Sequence, residues 1–178
     1  MPVPDPAWIS HVMDEHEGRL VRYAARLLGD AERARDVVQD TFLKLCRAER
    51  ASVDGHVTEW LFTVCRNGAL DVRRKETRMS TSPDVGLATP TGDEAEPGRR
   101  LEQREAMGSV LRWLGTLPES QQEVLRLKFQ NGMSYAEIGR ITKKTANHVG
   151  VLIHNGLKTL RARAAASSLA TEPGGSPS

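Results

Sequence analysis

Six lysine and arginine side chains lie between Ile138 and Arg163, and no aspartate or glutamate interrupts them. Asn147, His148, Val151, His154 and Asn155 stand among these cations. The segment has no nucleophile motif and no closed set of metal ligands, so it is poorly suited to bond-making chemistry. It is well suited to holding a polyanion. Lysine and arginine neutralise phosphates, amides hydrogen-bond base edges, and a valine methyl can pack on the methyl of thymine. The expected chemistry is recognition of nucleic acid by contact.

Such side chains need a rigid element to aim them. Ser134 and Glu137 are three apart, the spacing of a capping box, and Met133 and Ile138 are placed to staple the start of the same helix. After Ile141 the turn 142–144 leads to Thr145, a good N-cap for a second helix. There Val149, Leu152, Ile153, Leu157 and Leu160 form one apolar stripe. Asn147, His148, Val151, His154, Asn155 and Lys158 face the other way. A short capped helix, a turn and a basic helix make a helix-turn-helix, whose second helix enters the major groove. Glycine is expected in that turn, where this sequence has Lys143 and Lys144. A helical hairpin with solvated lysines would carry the same pattern, so this segment alone leaves both readings open.

With 178 residues the chain can form one ordinary domain or two small ones. The net charge is only +2, but charge is unevenly spread. Residues 1–60 carry eight bases and eleven acids, and 61–79 carry five bases against Asp71 and Glu76. Residues 80–98 carry four acids and no base. Two basic segments parted by an acidic one suggest two nucleic-acid contacts. No apolar run could span a bilayer and no signal-peptide pattern follows Met1, so membrane insertion is not expected. Cys46 and Cys65 both fall in amphipathic helical patterns and read as small core residues of a reduced, cytoplasmic chain.

The expected fold class is all-α. Helical periodicity covers 8–28, closed by Gly29, then 31–47 capped by Asp30, then 57–76. A loop, 48–56, contains the turn pair Asp54-Gly55. Residues 77–98 are rich in Ser, Thr, Pro, Gly and acids and read as a flexible linker. Helices resume over 99–117 and 119–130, ahead of the helix-turn-helix. Two small helical domains, 5–76 and 99–165, with a disordered tail at 166–178, complete the expectation.

Two stretches carry a more specific signal. One is 34–45 (ARDVVQDTFLKL), followed by 60–67 (WLFTVCRN) and 71–74 (DVRR). The other is 114–118 (LGTLP), Val124-Leu125, 134–138 (SYAEI) and the basic helix to Arg161. In order, spacing and length the chain resembles the extracytoplasmic-function subfamily of bacterial RNA polymerase sigma factors, the first stretch looking like region 2 and the second like region 4. The resemblance implies a promoter-specificity subunit with no catalytic residues and no cofactor. Its implied partners are core RNA polymerase and promoter DNA. Many members of the family are held by an anti-sigma factor, although no residue here identifies one.

Carried over by position, the resemblance places Asp36, Gln39, Asp40 and Leu43 against the polymerase clamp. It places Trp60, Arg66, Asn67, Arg73 and Arg74 at the minus-ten element, with His56 in the loop that holds a flipped-out base. Relatives often have aromatics in this loop, whereas His56 is its only ring here, which leaves base preference open. In the second domain Asn147, His148, Val151 and His154 would meet base edges of the minus-thirty-five element. Lys143, Lys144, Thr145, Lys158 and Arg161 complete that implied interface, chiefly through phosphates. Gly139 and Gly150 stand where many relatives have alanine and a polar residue. Gly150 weakens its helix by up to about 1 kcal/mol relative to alanine.

Two other classes fit parts of the sequence. An autonomous helix-turn-helix regulator explains the second domain but leaves Gln39, Phe42, Asn67 and Asp71 without a role. A metal-dependent hydrolase could draw on His11, Asp14, Glu15 and His16, but no further ligands accompany them.

Overall fold

Eight helices follow one another in the computed structural model, which describes residues 5–80 and 101–170, excepting the side chains of Leu101 and Glu102. They are α1 (Pro6–Leu28), α2 (Ala31–Arg47), α3 (Arg50–Val53), α4 (Val57–Met79), α5 (Leu101–Gly115), α6 (Glu119–Phe129), α7 (Tyr135–Thr142) and α8 (Ala146–Ala170). The chain divides into two units, one containing α1–α4 and the other α5, α6, α8 and the first five residues of α7. No strand occurs among the described residues, as the periodicity predicts.

In the first unit α1, α2 and α4 pack pairwise. Local chemistry sets their ends. Asp5 accepts from the Ala7 amide at 3.0 Å with Pro6 at the first helical position, and Gly29 closes α1 in the left-handed region (φ 68°). Asp30 then accepts from the Glu32 and Arg33 amides at 2.8 and 3.0 Å. The Arg33 amide foremost, helped by that of Glu32, holds the Asp30 carboxyl below its ordinary value.

The helices bury Val12, Leu20, Tyr23 and Ala24 from α1 and Val37, Val38, Phe42 and Leu45 from α2. From α4 they bury Leu61, Phe62, Cys65 and Ala69. Phe62 is fully buried, its ring 5.1 Å from that of Tyr23. Buried His16 spans the core by donating from Nδ1 to the Val12 carbonyl at 3.0 Å. Its Nε2 meets the Thr58 hydroxyl at 2.8 Å. The short helix α3 turns the expected loop inward at Val53, and the Arg50 guanidinium lies 5.1 Å over the Trp8 ring.

In the second unit α5 and α6 both pack on α8. Leu114, Leu117, Val124, Leu125, Leu127, Val149, Leu152 and Ile153 are buried. The Gln122 amide donates to the carbonyls of Gly115 and Leu117 at 3.1 and 2.8 Å, satisfying groups orphaned where α5 stops. Arg163 reaches back from α8 to the Thr116 hydroxyl.

Besides α3 inside the expected loop and shifts of one or two residues at α1 and α6, three helix ends and one burial differ from expectation. Helix α4 runs on to Met79 because Thr77 and Arg78 carry no stop signal, and α8 runs on to Ala170 through an alanine-rich stretch. The helix expected over 99–117 ends at Gly115. The remaining linker positions, 81–98, and the tail 171–178 lie outside the described residues. Cys46 is exposed and Cys65 is buried, so only one thiol belongs to the core. Burial pushes the Cys65 thiol up to about 12, partly countered by a hydrogen bond with Thr41. A thiol reagent at neutral pH should therefore titrate Cys46 in the native protein and reach Cys65 only after unfolding. Two fast-reacting thiols in the native protein would contradict this packing.

Candidate nucleic-acid interface

The helix-turn-helix is built as its sequence directs. Glu137 Oε2 accepts from the Ser134 amide at 2.7 Å, and Ser134 Oγ accepts from the Glu137 amide at 3.2 Å, so the capping box is reciprocal. Met133 and Ile138 are both buried. Thr145 Oγ1 accepts from the His148 amide at 3.1 Å and caps α8. Between the helices Lys143 takes φ 57°, the left-handed bend for which glycine is expected. The Lys144 amide donates to the Gly139 carbonyl at 2.8 Å. A Cβ on Gly139 would stand 2.6 Å from the Lys144 carbonyl oxygen, which gives that glycine a steric reason.

On α8 Val149, Leu152, Ile153 and Gly156 face inward, with Leu157 and Leu160 half-buried. Asn147, His148, Val151, His154, Asn155, Lys158 and Arg161 are exposed, and Val151 is 54% accessible despite being apolar. No acid occupies the first turn of α8. Lys143 and Thr145 are exposed beside this face and Lys144 is half-buried. Tyr135 extends the surface in a way the sequence does not disclose. Its ring lies 3.5 Å from where a Cβ of Gly150 would be, and Lys128 Nζ sits 5.3 Å over it.

The first unit presents two further stripes, an exposed one on α2 and one on α4 that is half-buried except at Arg74. Asp36, Gln39, Asp40 and Leu43 stand at i, i+3, i+4 and i+7 on α2, all exposed, opposite buried Val37, Val38, Thr41, Phe42 and Leu45. Lys44 Nζ pairs with Asp40 at 2.8 Å. On α4 the seven-residue spacing sets Trp60, Asn67 and Arg74 in one row and Arg66 and Arg73 in the next. Arg74 pairs with Asp71 at 3.2 Å, so this acid orients a base. A shallow groove lined by Leu70, Arg73, Arg74, Thr77 and Arg78 continues along α4. His56 is exposed at the head of α4, its Nδ1 3.2 Å from the Asp54 carbonyl.

The suggested metal residues do not form a ligand set. Glu15 Oε2 lies 4.0 Å from exposed His11 Nε2 and 3.9 Å from His16 Nδ1, but buried His16 spends its two nitrogens on the Val12 carbonyl and the Thr58 hydroxyl. Among the described residues no group of three or more His, Cys, Asp or Glu could hold a metal ion. Nor is any described helix long and apolar enough to cross a membrane.

Known proteins match this arrangement unit by unit. The Sigma-70 region 2 family matches residues 12–79, and the Sigma-70, region 4 family matches 107–160. The chain is 30% identical over 167 residues to the ECF RNA polymerase sigma factor SigL of Mycobacterium tuberculosis. That match covers 88% of this chain and 89% of SigL. It is 29% identical over 158 residues to the ECF sigma factor SigE of Mycolicibacterium smegmatis, spanning 88% of this chain but only 61% of that longer relative. In fold it is similar to the sigma factor RpoE of Bartonella quintana, solved in complex with the anti-sigma factor NepR. There the TM-score is 0.67 at 23% identity, covering 86% of this chain and 94% of the other. The chain belongs to the extracytoplasmic-function (ECF) sigma factors, the bacterial RNA polymerase subunits that direct transcription initiation to particular promoters.

Proposed function

We propose that this sigma factor works by contact alone, joining core polymerase to promoter DNA in the cytoplasm with no catalytic step of its own. The observation that carries this reading is the division of surface chemistry among three helices, exposed on α2 and α8 and half-buried on α4 except at Arg74. Helix α2 offers an acidic and apolar stripe, α4 rows of arginine with Trp60 and Asn67, and α8 a cationic face without acids.

The α2 stripe is assigned to core polymerase, with Leu43 as its apolar end after Asp36, Gln39 and Asp40. The α4 rows are assigned to the minus-ten element. Their arginines hold phosphates, while Asn67 and Trp60 engage unstacked bases beside His56. The α8 face is assigned to the minus-thirty-five duplex. Asn147, His148, Val151 and His154 meet base edges, and Lys143, Lys144, Thr145, Lys158 and Arg161 fix the register on the backbone. We extend to this chain control by an anti-sigma factor, the kind of partner with which the Bartonella RpoE was solved in complex.

A gel shift with and without core polymerase tests the reading as a whole. Specific promoter binding should require core, and equal binding without it would identify an autonomous regulator. Reversing Asp36 and Asp40 to lysine together should weaken core binding by about tenfold or more while leaving the first unit folded. Unchanged retention on immobilised polymerase would remove the α2 stripe from the interface.

A second experiment separates base reading from charge attraction. In holoenzyme, Asn147→Ala should lower affinity by about 1–3 kcal/mol and relax preference at one base position. Lys158→Ala should weaken all promoter variants alike and make the salt slope shallower by about one. The check is a promoter-variant binding series at several salt concentrations. Loss of base preference from Lys158→Ala alone would displace the recognition face.

A further inference from the structure

Lys143 is the only non-glycine at positive φ among the described residues. The other three left-handed positions, Gly29, Gly55 and Gly132, all carry the residue that adopts this conformation without steric penalty. A lysine there is strained because its Cβ crowds the backbone, and strain of this kind persists only where surrounding structure enforces it. The enforcement is visible. The Lys144 amide is held to the Gly139 carbonyl at 2.8 Å, and the Lys144 carbonyl fills the space in front of the Gly139 Cα. Thr145 caps α8 immediately afterwards. Between these anchors the chain reverses at Lys143.

The side chain contributes nothing that would offset the strain inside the unit. It is exposed, and no salt bridge to it is found among the described residues. Its position is fixed all the same, because a residue locked between two capped helices projects its Cβ in one direction.

We propose that Lys143 is kept in this left-handed turn as a fixed anchor for a DNA backbone phosphate, so that promoter affinity is gained at the expense of fold stability at this one residue. The inference rests on the assignment of α8 to duplex DNA and deepens it. Glycine would relax the turn and abolish the anchor, whereas alanine would keep the strain and abolish the anchor.

Those two substitutions separate the effects. In the full chain, Lys143→Gly should slow amide hydrogen exchange across α7 and α8 by about threefold or more, and Lys143→Ala should leave it near wild type. In holoenzyme both should weaken binding to all promoter variants similarly, by about three- to tenfold at moderate salt, with a salt slope shallower by about one. Lys143→Arg should retain binding. The proposal is overturned if the glycine variant binds promoter like wild type, or if it gains no exchange protection over the alanine variant. Should Asn147→Ala and Lys158→Ala change promoter binding while the Lys143 variants do not, only this inference falls. Should none of them matter, the assignment of α8 falls with it.

Discussion

The second unit depends on the absence of one methyl group. Helices α7 and α8 meet where the Lys144 carbonyl occupies the space a Cβ of residue 139 would take, 2.6 Å from where that atom would lie. Backbone cannot retreat as a flexible side chain can, so any larger residue must push the helices apart. That contact fixes the turn, the turn fixes the Thr145 cap, and the cap fixes where α8 begins. Each exposed residue from Asn147 to Arg161 inherits its direction from this point, since a helix advances by a constant angle per residue. Gly156 repeats the device deeper in the unit, where a Cβ would stand 2.8 Å from Leu125 Cδ1. There a flexible leucine tip is the neighbour, so the constraint is softer.

In the first unit the controlling fact is amphipathicity. Helix α2 commits Val37, Val38, Phe42 and Leu45 to the core, and the same 3.6-residue period delivers Asp36, Gln39, Asp40 and Leu43 to solvent as one surface. Gly68 brings α4 close to α2, where a Cβ would stand 3.2 Å from Val37 Cγ1. Arg33 closes the arrangement by pairing with Glu76 from the far end of α4.

What was legible in the sequence was local. The capping box at Ser134 and Glu137, the caps at Asp30 and Thr145 and the stop at Gly29 act within four residues, and each forms as its spacing implies. The paired motifs also sufficed to recognise the family. Less legible was anything set by the edge of a stripe or by distant contact. Cys46 follows buried Leu45 in an apolar pair, yet it falls just outside the packed arc and is exposed. His16 lies five residues after His11, about 140° further round the helix, which sends one ring inward and the other to solvent. Tyr135 over Gly150 could not be foreseen, because the contact depends on a missing side chain fifteen residues away. The steric need for Gly139 was likewise hidden until the turn was folded. A lysine in place of the expected turn glycine, by contrast, was visible as an anomaly from the start, and φ 57° at Lys143 gives it physical meaning.

Helix α8 has one further property. Its last buried residue is Gly156 and Arg163 reaches back to Thr116, yet the helix continues to Ala170 through exposed alanines and serines. From Ala164 to Ala170 every residue is exposed and Ser168 Oγ donates locally to the Ala164 carbonyl at 3.1 Å, and short helical extensions of that kind sit near balance in water. The end of α8 is thus a statistical average that shortens on warming, while the packed portion keeps its length. A domain or dye fused after Ala170 would be carried on an axle whose direction is set by the core and whose reach varies with temperature.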